Sequence, residues 1–378
     1  MNTVSINKEL IIWARERAGL EVDDLIKIFP RFPEWEEGKS LPTLNQLEKL
    51  ARKVYAPLGY FFLPKPPEEK LPIPDFRSVQ DEPVIDPSPN LLETIFLMQR
   101  RQAWYREFII EEGSTPLAFV GSCTLRDEPF LVATKMREVL GLTTGWANAV
   151  QKWSEAFTSL WMRAEHRGVL IVCNGIVGNN TSRALDVNEF RGFVLPDAYA
   201  PLVFINNADA KAAQMFTLAH ELAHIWIGSA GVLNFRDMNP TDNETELFCN
   251  AVAAEFLVPR AEFSAIWAHE RSLYTLAAYF KVSPLVVARR ALDLGFVSKS
   301  EFFAFYKKYM AHVSASKAVK KGGNFYSVCD YRIGRPFASA VGRATQSGRM
   351  LYRDAYNLTG LQGPTFDKYI QKVNREGG

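Results

Sequence analysis

The sequence predicts a mainly helical α+β protein in which a domain with a short three-stranded sheet is flanked by helical domains. Over most of the chain, apolar residues recur at three- and four-residue steps, which is the period of a helix. From Val169 the period changes, and three short apolar runs at 169–173, 192–195 and 201–206 indicate strands. At 378 residues, the chain is long enough for two or three domains with cores of their own.

The elements before the sheet are predicted to be helical. Residues 1–63 contain three short amphipathic patterns, and eight prolines between positions 64 and 89 indicate an extended linker at 64–90. Residues 91–168 show further helical patterns and are expected to pack on the sheet-containing domain at 169–300. Residues 301–378 are then expected to form a basic C-terminal domain.

The charge balance and the cysteine content indicate the cellular compartment of the protein and the kinds of partner it can have. The net charge of +2, from 44 Lys and Arg against 42 Asp and Glu, argues against a general polyanion binder. No cysteine pairs as CxxC, the N-terminus does not resemble a signal peptide, and no apolar run reaches the roughly 18 residues of a membrane span. We therefore expect a cytoplasmic protein with no membrane partner.

The strongest chemical signal is His220-Glu221-Leu222-Ala223-His224 within a predicted helix. Histidines four apart lie on one face of a helix, so His220 and His224 can hold one metal ion from the same side. Glu221 is rotated about 100° from His220 and can reach a water bound to the metal. Zn²⁺ suits such ligands and lowers the pKa of its bound water to about 7. The alternative is a purely structural role, in which the two histidines lie in the core and form hydrogen bonds with the backbone.

A third ligand is expected from the next predicted helix, 243–257. Glu246 and Glu255 are nine positions apart and therefore face opposite sides of this helix, so they cannot share one metal ion. Small residues near Glu246 permit close approach to the first helix, which favours Glu246. Glu255 stays open as the alternative ligand, or as a buried, paired structural carboxylate.

Together these segments resemble the ImmA/IrrE metallopeptidase family over roughly 169–296. The matching runs are 192–195, 201–206, 216–224, 246–250 and 253–259. The resemblance implies a zincin-like (gluzincin) domain that binds Zn²⁺ through His220, His224 and Glu246, with Glu221 as the catalytic base. It also implies a zinc endopeptidase that cuts an XRE-type transcriptional repressor or an antitoxin in a stress response.

Two further roles follow from this resemblance. In zincins generally, the edge strand beside the last strand before the metal helix pairs with extended substrate. By analogy, the backbone of Gly192, Phe193, Val194 and Leu195 is expected to be that edge and to bind the peptide. Asn250 is expected to support a metal ligand.

The N-terminal 63 residues resemble the latter half of an XRE-type helix-turn-helix domain, through the runs 35–43 and 47–51. Where the recognition helix is expected, the chain has a short run with two prolines, Pro30 and Pro33. Residues 1–80 carry 12 basic and 12 acidic side chains, so they have no basic footprint. We expect a degenerate domain that contacts protein rather than DNA.

Two other segments leave DNA binding open. Residues 273–294 read as a helix-turn-helix, or as a helical buttress of the metallopeptidase domain. The stretch 307–378 carries 13 Lys and Arg against four acids, which suits nucleic acid or an acidic partner as well as a solvated surface. The rival function is therefore a DNA-binding transcriptional regulator or antitoxin whose metal site is structural.

Overall fold

The computed structural model describes residues 3–69, 71–73, 87–229, 231–233, 243–315 and 325–376. Backbone contacts divide the chain into two units, one of Met1–Pro72 with Val84–Phe96 and one of Ile73–Pro83 with Leu97–Gly378. The predicted class is confirmed, because helices dominate and the main sheet lies in the predicted region. The five segments predicted from the sequence divide the chain more finely, and their boundaries stay a prediction.

The first unit consists of short helices around one core. Its helices are α1 (Lys8–Arg17), α2 (Val22–Ile26), α3 (Phe32–Glu37), α4 (Leu44–Lys53) and a 3-10 helix at Leu58–Phe62. The short helix α3 begins with a proline in its first turn, where the missing N–H costs no hydrogen bond, and it buries Phe32 and Trp35. Its acidic side chains are engaged by neighbours, including an Arg15–Glu36 ion pair at 2.7 Å.

The helix α5 (Pro89–Glu111) begins in the first unit and continues in the second. In the second unit, the elements up to the metal-motif helix are α6 (Pro129–Val139), α7 (Trp153–His166), β1 (Leu170–Asn174), β2 (Ile176–Val177), β3 (Asn180–Ala184), β4 (Gly192–Leu195), β5 (Leu202–Asn206) and α8 (Lys211–Ile227). After α8 come β6 (Gly231–Leu233), α9 (Glu244–Leu257), α10 (Arg260–Trp267), α11 (Leu273–Phe280), α12 (Pro284–Asp293), α13 (Lys299–Ala315), α14 (Phe325–Ile333), α15 (Arg335–Gln346), α16 (Tyr352–Thr359) and α17 (Gly363–Glu376).

The main sheet has the strand order β1-β5-β4-β6. Strand β1 runs parallel to β5, and β4 is antiparallel to both β5 and β6. The residues of β1, β4 and β5 are all buried, because helices cover the sheet. The three predicted strands are present in this sheet, whereas its fourth strand β6 and the separate two-stranded sheet of β2 and β3 were not predicted from the sequence.

The prediction that Gly192, Phe193, Val194 and Leu195 form the edge of the sheet is wrong. Strand β4 pairs with β5 on one side and, through Gly192 to Val194, with β6 on the other. The backbone pairing that an edge would offer to a peptide is therefore used by the chain itself. A three-residue strand is too short to show an alternating pattern, so the sequence carried no signal for β6.

Helix α8 carries the metal motif through the middle of the core. Its residues from Gln214 to Trp226 are buried, apart from partly exposed Phe216. It packs against α7, α9 and the sheet, and ends at Gly228, whose left-handed φ of 74° turns the chain back. This burial fixes the helix from every side.

None of the described helices combines the length and apolar character that crossing a membrane requires.

The C-terminal helices join the second unit through buried polar groups. Arg101 of α5 donates from Nε to the Leu358 carbonyl and from Nη1 to the Arg332 carbonyl, each at 2.8 Å. Glu165 of α7 lies near the start of α15, and its Oε1 has no hydrogen-bond partner among the described residues. Burial raises the pKa of Glu165 to about 7, and the charge of Asp330 adds to this against opposing contacts with Trp161 and Arg335.

This raised pKa predicts the pH dependence of stability. Between about pH 4.5 and 7 the folded chain keeps the Glu165 proton that the unfolded chain releases, so stability falls as the pH rises. Since Glu165 is only partly buried, we expect Glu165→Gln to be about 1–2 kcal/mol more stable than the parent at pH 8 and equal to it near pH 4.5. Urea unfolding at several pH values measures this, with exposed Glu107→Gln as the control. A Glu165→Gln difference that does not grow with pH would contradict it.

Candidate metal centre

Three side chains from two helices converge on one point. Nε2 of His220 lies 3.0 Å from Nε2 of His224, and the two Glu246 oxygens lie 3.1 Å and 3.2 Å from these nitrogens. Among the described residues, these three form the group of His, Cys, Asp and Glu side chains placed to hold a metal ion, with ligand atoms within 4.8 Å of one another. The structure thus brings together the three ligands that the sequence predicted.

The two helices place these side chains by ordinary local rules. His220 and His224 are one turn apart on α8 and point the same way. Helix α9 begins at Glu244 because Asn243 caps it, accepting from the backbone N–H of Thr245 at 2.9 Å. Glu246 therefore lies in the first turn of α9, where α9 packs on α8. Its side chain is 18% exposed, whereas both histidines are fully buried.

Glu255 is held elsewhere. It forms an ion pair with Arg290 of α12, and its Oε1 accepts from the backbone N–H of Arg260 at 3.0 Å. Arg290 also donates to the Val258 carbonyl at 3.0 Å. The alternative in which Glu255 completes the metal site is therefore not the arrangement of this structure. Glu255 is instead a buried, paired structural carboxylate, which was the second possibility for this residue.

Two polar side chains orient the histidine rings. Nδ1 of His220 lies 3.0 Å from Oδ1 of Asn250, and because an amide oxygen only accepts, this contact places the proton on Nδ1. Nδ1 of His224 lies 3.0 Å from Oγ of Ser229. Asn250 thus lies where the sequence analysis expected it. Ser229 was missed, since it reaches His224 only because Gly228 reverses the chain after α8.

Removing these supports is expected to weaken metal binding without unfolding the protein. Asn250→Ala and Ser229→Ala should each lower the Zn²⁺ affinity by about 10–100-fold, since each ring loses the partner that fixes its orientation. Competition with a chromophoric chelator measures the affinity, and exposed Ser182→Ala serves as the control. Parent-like affinity in both variants would show that the rings are held by packing alone.

Glu221 differs from its neighbours in having no polar partner among the described residues. The residue is fully buried, and neither carboxylate oxygen has a hydrogen-bond partner among the described residues. Burial raises the pKa of Glu221 well above its usual value, and the negative charge of Glu246 raises it further. Its Oε1 lies against β4, 3.0 Å from where a Cβ on Gly192 would be. A buried carboxylate without a partner is costly, so this arrangement indicates function rather than stability.

The electrostatics of the other ligands suit a cation. Burial lowers the pKa of His224, and the neighbouring His220 lowers it further, which favours the neutral ring that a metal requires. Burial opposes ionisation of Glu246, yet the contacts with both histidines outweigh it and hold the pKa of Glu246 below its usual value. Nitrogen and oxygen atoms that carry lone pairs thus surround one point, and the Glu221 carboxylate beside them has no partner in the described part of the chain. This donor set fits a divalent cation that binds nitrogen and oxygen.

The helix-turn-helix-like segment is part of the same body. Helices α11 and α12 are joined through Lys281, with φ of 54°, and Ser283, whose hydroxyl caps α12 by accepting from Val286 at 3.2 Å. The Arg290 ion pair with Glu255 ties α12 to α9. These contacts match the buttress interpretation. DNA binding by this segment stays the alternative prediction.

The basic charge of the C-terminal region is partly neutralised within the chain. Lys372 and Arg335 both pair with Asp330, at 2.6 Å and 3.1 Å, and Arg349 pairs with Glu112 at 2.8 Å. Three further lysines lie outside the described residues: Lys317, Lys320 and Lys321. A nucleic-acid partner for this region stays a prediction, with less unpaired charge than the sequence count suggests.

Comparisons with known families agree with this placement. Residues 164–292 match the family described as the IrrE N-terminal-like domain, which is a peptidase family. Residues 333–372 match a family described as a domain of unknown function. A comparison with curated proteins found no match. The segment from 164 to 292 is therefore a metallopeptidase-like domain, and it contains every residue of the His220, His224 and Glu246 cluster.

Proposed function

We propose that the chain is a zinc-dependent endopeptidase that cuts a regulatory protein, either an XRE-type transcriptional repressor or an antitoxin. The observation that carries the proposal is the pairing of a two-histidine, one-glutamate cluster with Glu221, a buried carboxylate beside it that has no partner among the described residues. A purely structural site has no use for the second carboxylate, whereas hydrolysis needs a base.

His220, His224 and Glu246 would hold the Zn²⁺ ion. When bound with an open position, this ion lowers the pKa of water and polarises a carbonyl. The contacts of Nδ1 with Asn250 and Ser229 leave Nε2 of each ring directed at Glu246, so the rings need no reorientation. The ligands are thus preorganised, which lowers the cost of binding.

Glu221 would act as the base and then as the acid. Its carboxylate takes a proton from the attacking water and gives this proton to the amine that leaves as the peptide bond breaks. Burial and the nearby Glu246 charge give the Glu221 carboxylate a high affinity for protons, which suits the first transfer. The proton leaves with the amine product, and the carboxylate is restored after each turnover.

The regulatory substrate is proposed from the resemblance of residues 169–296 to the ImmA/IrrE family. The direct experiment incubates Zn²⁺-loaded chain with purified XRE-type regulators and antitoxins and identifies new N-termini by mass spectrometry. A chelator-treated sample is the control. We expect cleavage of at least one regulator, which stops on chelation and returns with Zn²⁺. Intact regulators together with salt-dependent binding of the chain to DNA would instead favour the rival regulatory function.

A further inference from the structure

We propose that Gly192 is a positioning residue for Glu221, because the absence of a side chain at residue 192 leaves the space that the Glu221 carboxylate occupies. This inference rests on the proposed function, in which Glu221 is the base. It assigns to strand β4 a part in building the catalytic site, apart from any contact with substrate.

The space around Gly192 is closed on three sides. A Cβ at this residue would lie 2.7 Å from Cγ2 of Thr217, 2.9 Å from the backbone oxygen of Phe204 and 3.0 Å from Oε1 of Glu221. Thr217 and Glu221 are one turn apart on α8, on the face toward β4. Carbon atoms do not approach one another this closely, so a methyl group at residue 192 must displace something.

The strand backbone makes room only at a cost. Gly192 pairs with Ile205 of β5 and with Leu233 of β6, so its backbone is held from both sides. The Phe204 oxygen belongs to the backbone of β5, so its 2.9 Å contact is relieved only by a small shift between the two strands. The other two neighbours are side chains of α8, and of these the terminal carboxylate of Glu221 is the most easily displaced.

The backbone conformation at residue 192 does not require a glycine. Gly192 is absent from the residues with positive φ, so an alanine could adopt its extended conformation. A glycine is therefore needed at residue 192 because a side chain would not fit, and not because of the backbone conformation. Glu221 depends on that space because no described polar group holds its carboxylate, whereas His220 and His224 have Asn250 and Ser229.

The experiment uses the full chain loaded with Co²⁺, whose visible spectrum reports the ligands, and titrates it with acetohydroxamate. The acidic proton of a hydroxamate needs a basic acceptor beside the metal, so its affinity reports the position of Glu221 without a peptide substrate. We expect Gly192→Ala to take up Co²⁺ like the parent and to bind acetohydroxamate about tenfold more weakly, the direction expected for a carboxylate displaced by a fraction of an ångström.

A double-mutant cycle tests whether the effect acts through Glu221. Glu221→Gln should weaken acetohydroxamate binding, and adding Gly192→Ala to it should cause no further loss. The matched control is Gly175→Ala, where a Cβ would lie 2.6 Å from Oδ1 of Asn207, which crowds the same domain without reaching Glu221. We expect Gly175→Ala to bind acetohydroxamate like the parent.

Several results would overturn the proposal. Parent-like affinity in Gly192→Ala, or losses that multiply with those of Glu221→Gln, would show that residue 192 does not position the base. If Gly192→Ala does not fold, Gly192→Ala/Thr217→Ser removes the shortest contact, at 2.7 Å, and keeps those with Phe204 and Glu221, so the same loss of affinity is expected. A parent chain that takes up no Co²⁺ would contradict the proposed function itself, which distinguishes the two failures.

Discussion

Glu221→Gln is expected to lower the rate of peptide hydrolysis by about 10³-fold or more while the protein keeps one metal ion per chain. The amide fits the same buried space but cannot take a proton from water. The metal ligands His220, His224 and Glu246 are untouched, so the affinity for Zn²⁺ should stay within a few-fold of the parent. Metal content by mass spectrometry and the initial rate of cleavage, measured on the same samples, test both halves. Parent-like cleavage by this variant would rule out Glu221 as the base.

The same variant is expected to be more stable than the parent when metal-free. Burial and the charge of Glu246 raise the pKa of Glu221, so the metal-free parent loses stability as the pH rises above about 4.5. Glu221→Gln has no charge to bury and should lose less stability over this range. Urea unfolding of the metal-free proteins between pH 5 and 8 measures the difference. A glutamine variant less stable than the parent at pH 8 would mean that Glu221 has a partner that stabilises its charge.

Glu246→Gln is expected to lower the metal affinity, whereas Glu255→Gln is expected to lower the stability of the fold. Glu246→Gln loses a charged ligand, so its Zn²⁺ affinity should fall by about 100-fold or more, with little change in the fold. Glu255→Gln leaves Arg290 buried without its carboxylate partner, so it should be destabilised by about 3–5 kcal/mol while its Zn²⁺ affinity stays near that of the parent.

The two substitutions remove the same charge from the same helix and therefore control for each other. Chelator competition gives the metal affinity, and urea unfolding of the metal-free chains gives the stability. If Glu255→Gln loses metal and Glu246→Gln does not, the ligand assignment is reversed. If both lose metal through unfolding, the stability measurement reveals it.

The metal ligands could be predicted from the sequence because helical geometry is local. Histidines four residues apart share a face, and glutamates nine residues apart face opposite ways, so periodicity excluded a site that uses both Glu246 and Glu255. Asn250 is one turn from Glu246 and shares its face toward α8. The sequence favoured Glu246, but the partner of Glu255 needed the structure, because Arg290 lies some 35 residues further along the chain.

The features that the sequence did not reveal depend on contacts between distant segments. Strand β6 is too short for a pattern and exists through its pairing with β4, so the expected edge strand became an interior one. Ser229 reaches His224 through a turn at Gly228, and Gly192 matters through the approach of α8. In the first unit, helix α3 was not predicted, because its run contains proline, yet Pro33 lies in the first turn of the helix, where its missing N–H costs no hydrogen bond.

The central claim is that His220, His224 and Glu246 hold one metal ion while Glu221 stays free of it. Anomalous diffraction at the zinc absorption edge from crystals of the Zn²⁺-loaded chain tests this claim most directly. We predict one peak per chain, about 2.0–2.2 Å from Nε2 of both histidines and from a Glu246 oxygen, with the Glu221 carboxylate beyond ligand distance. A peak held by Glu255 or by Glu221, or no peak at the two histidines, would contradict the account.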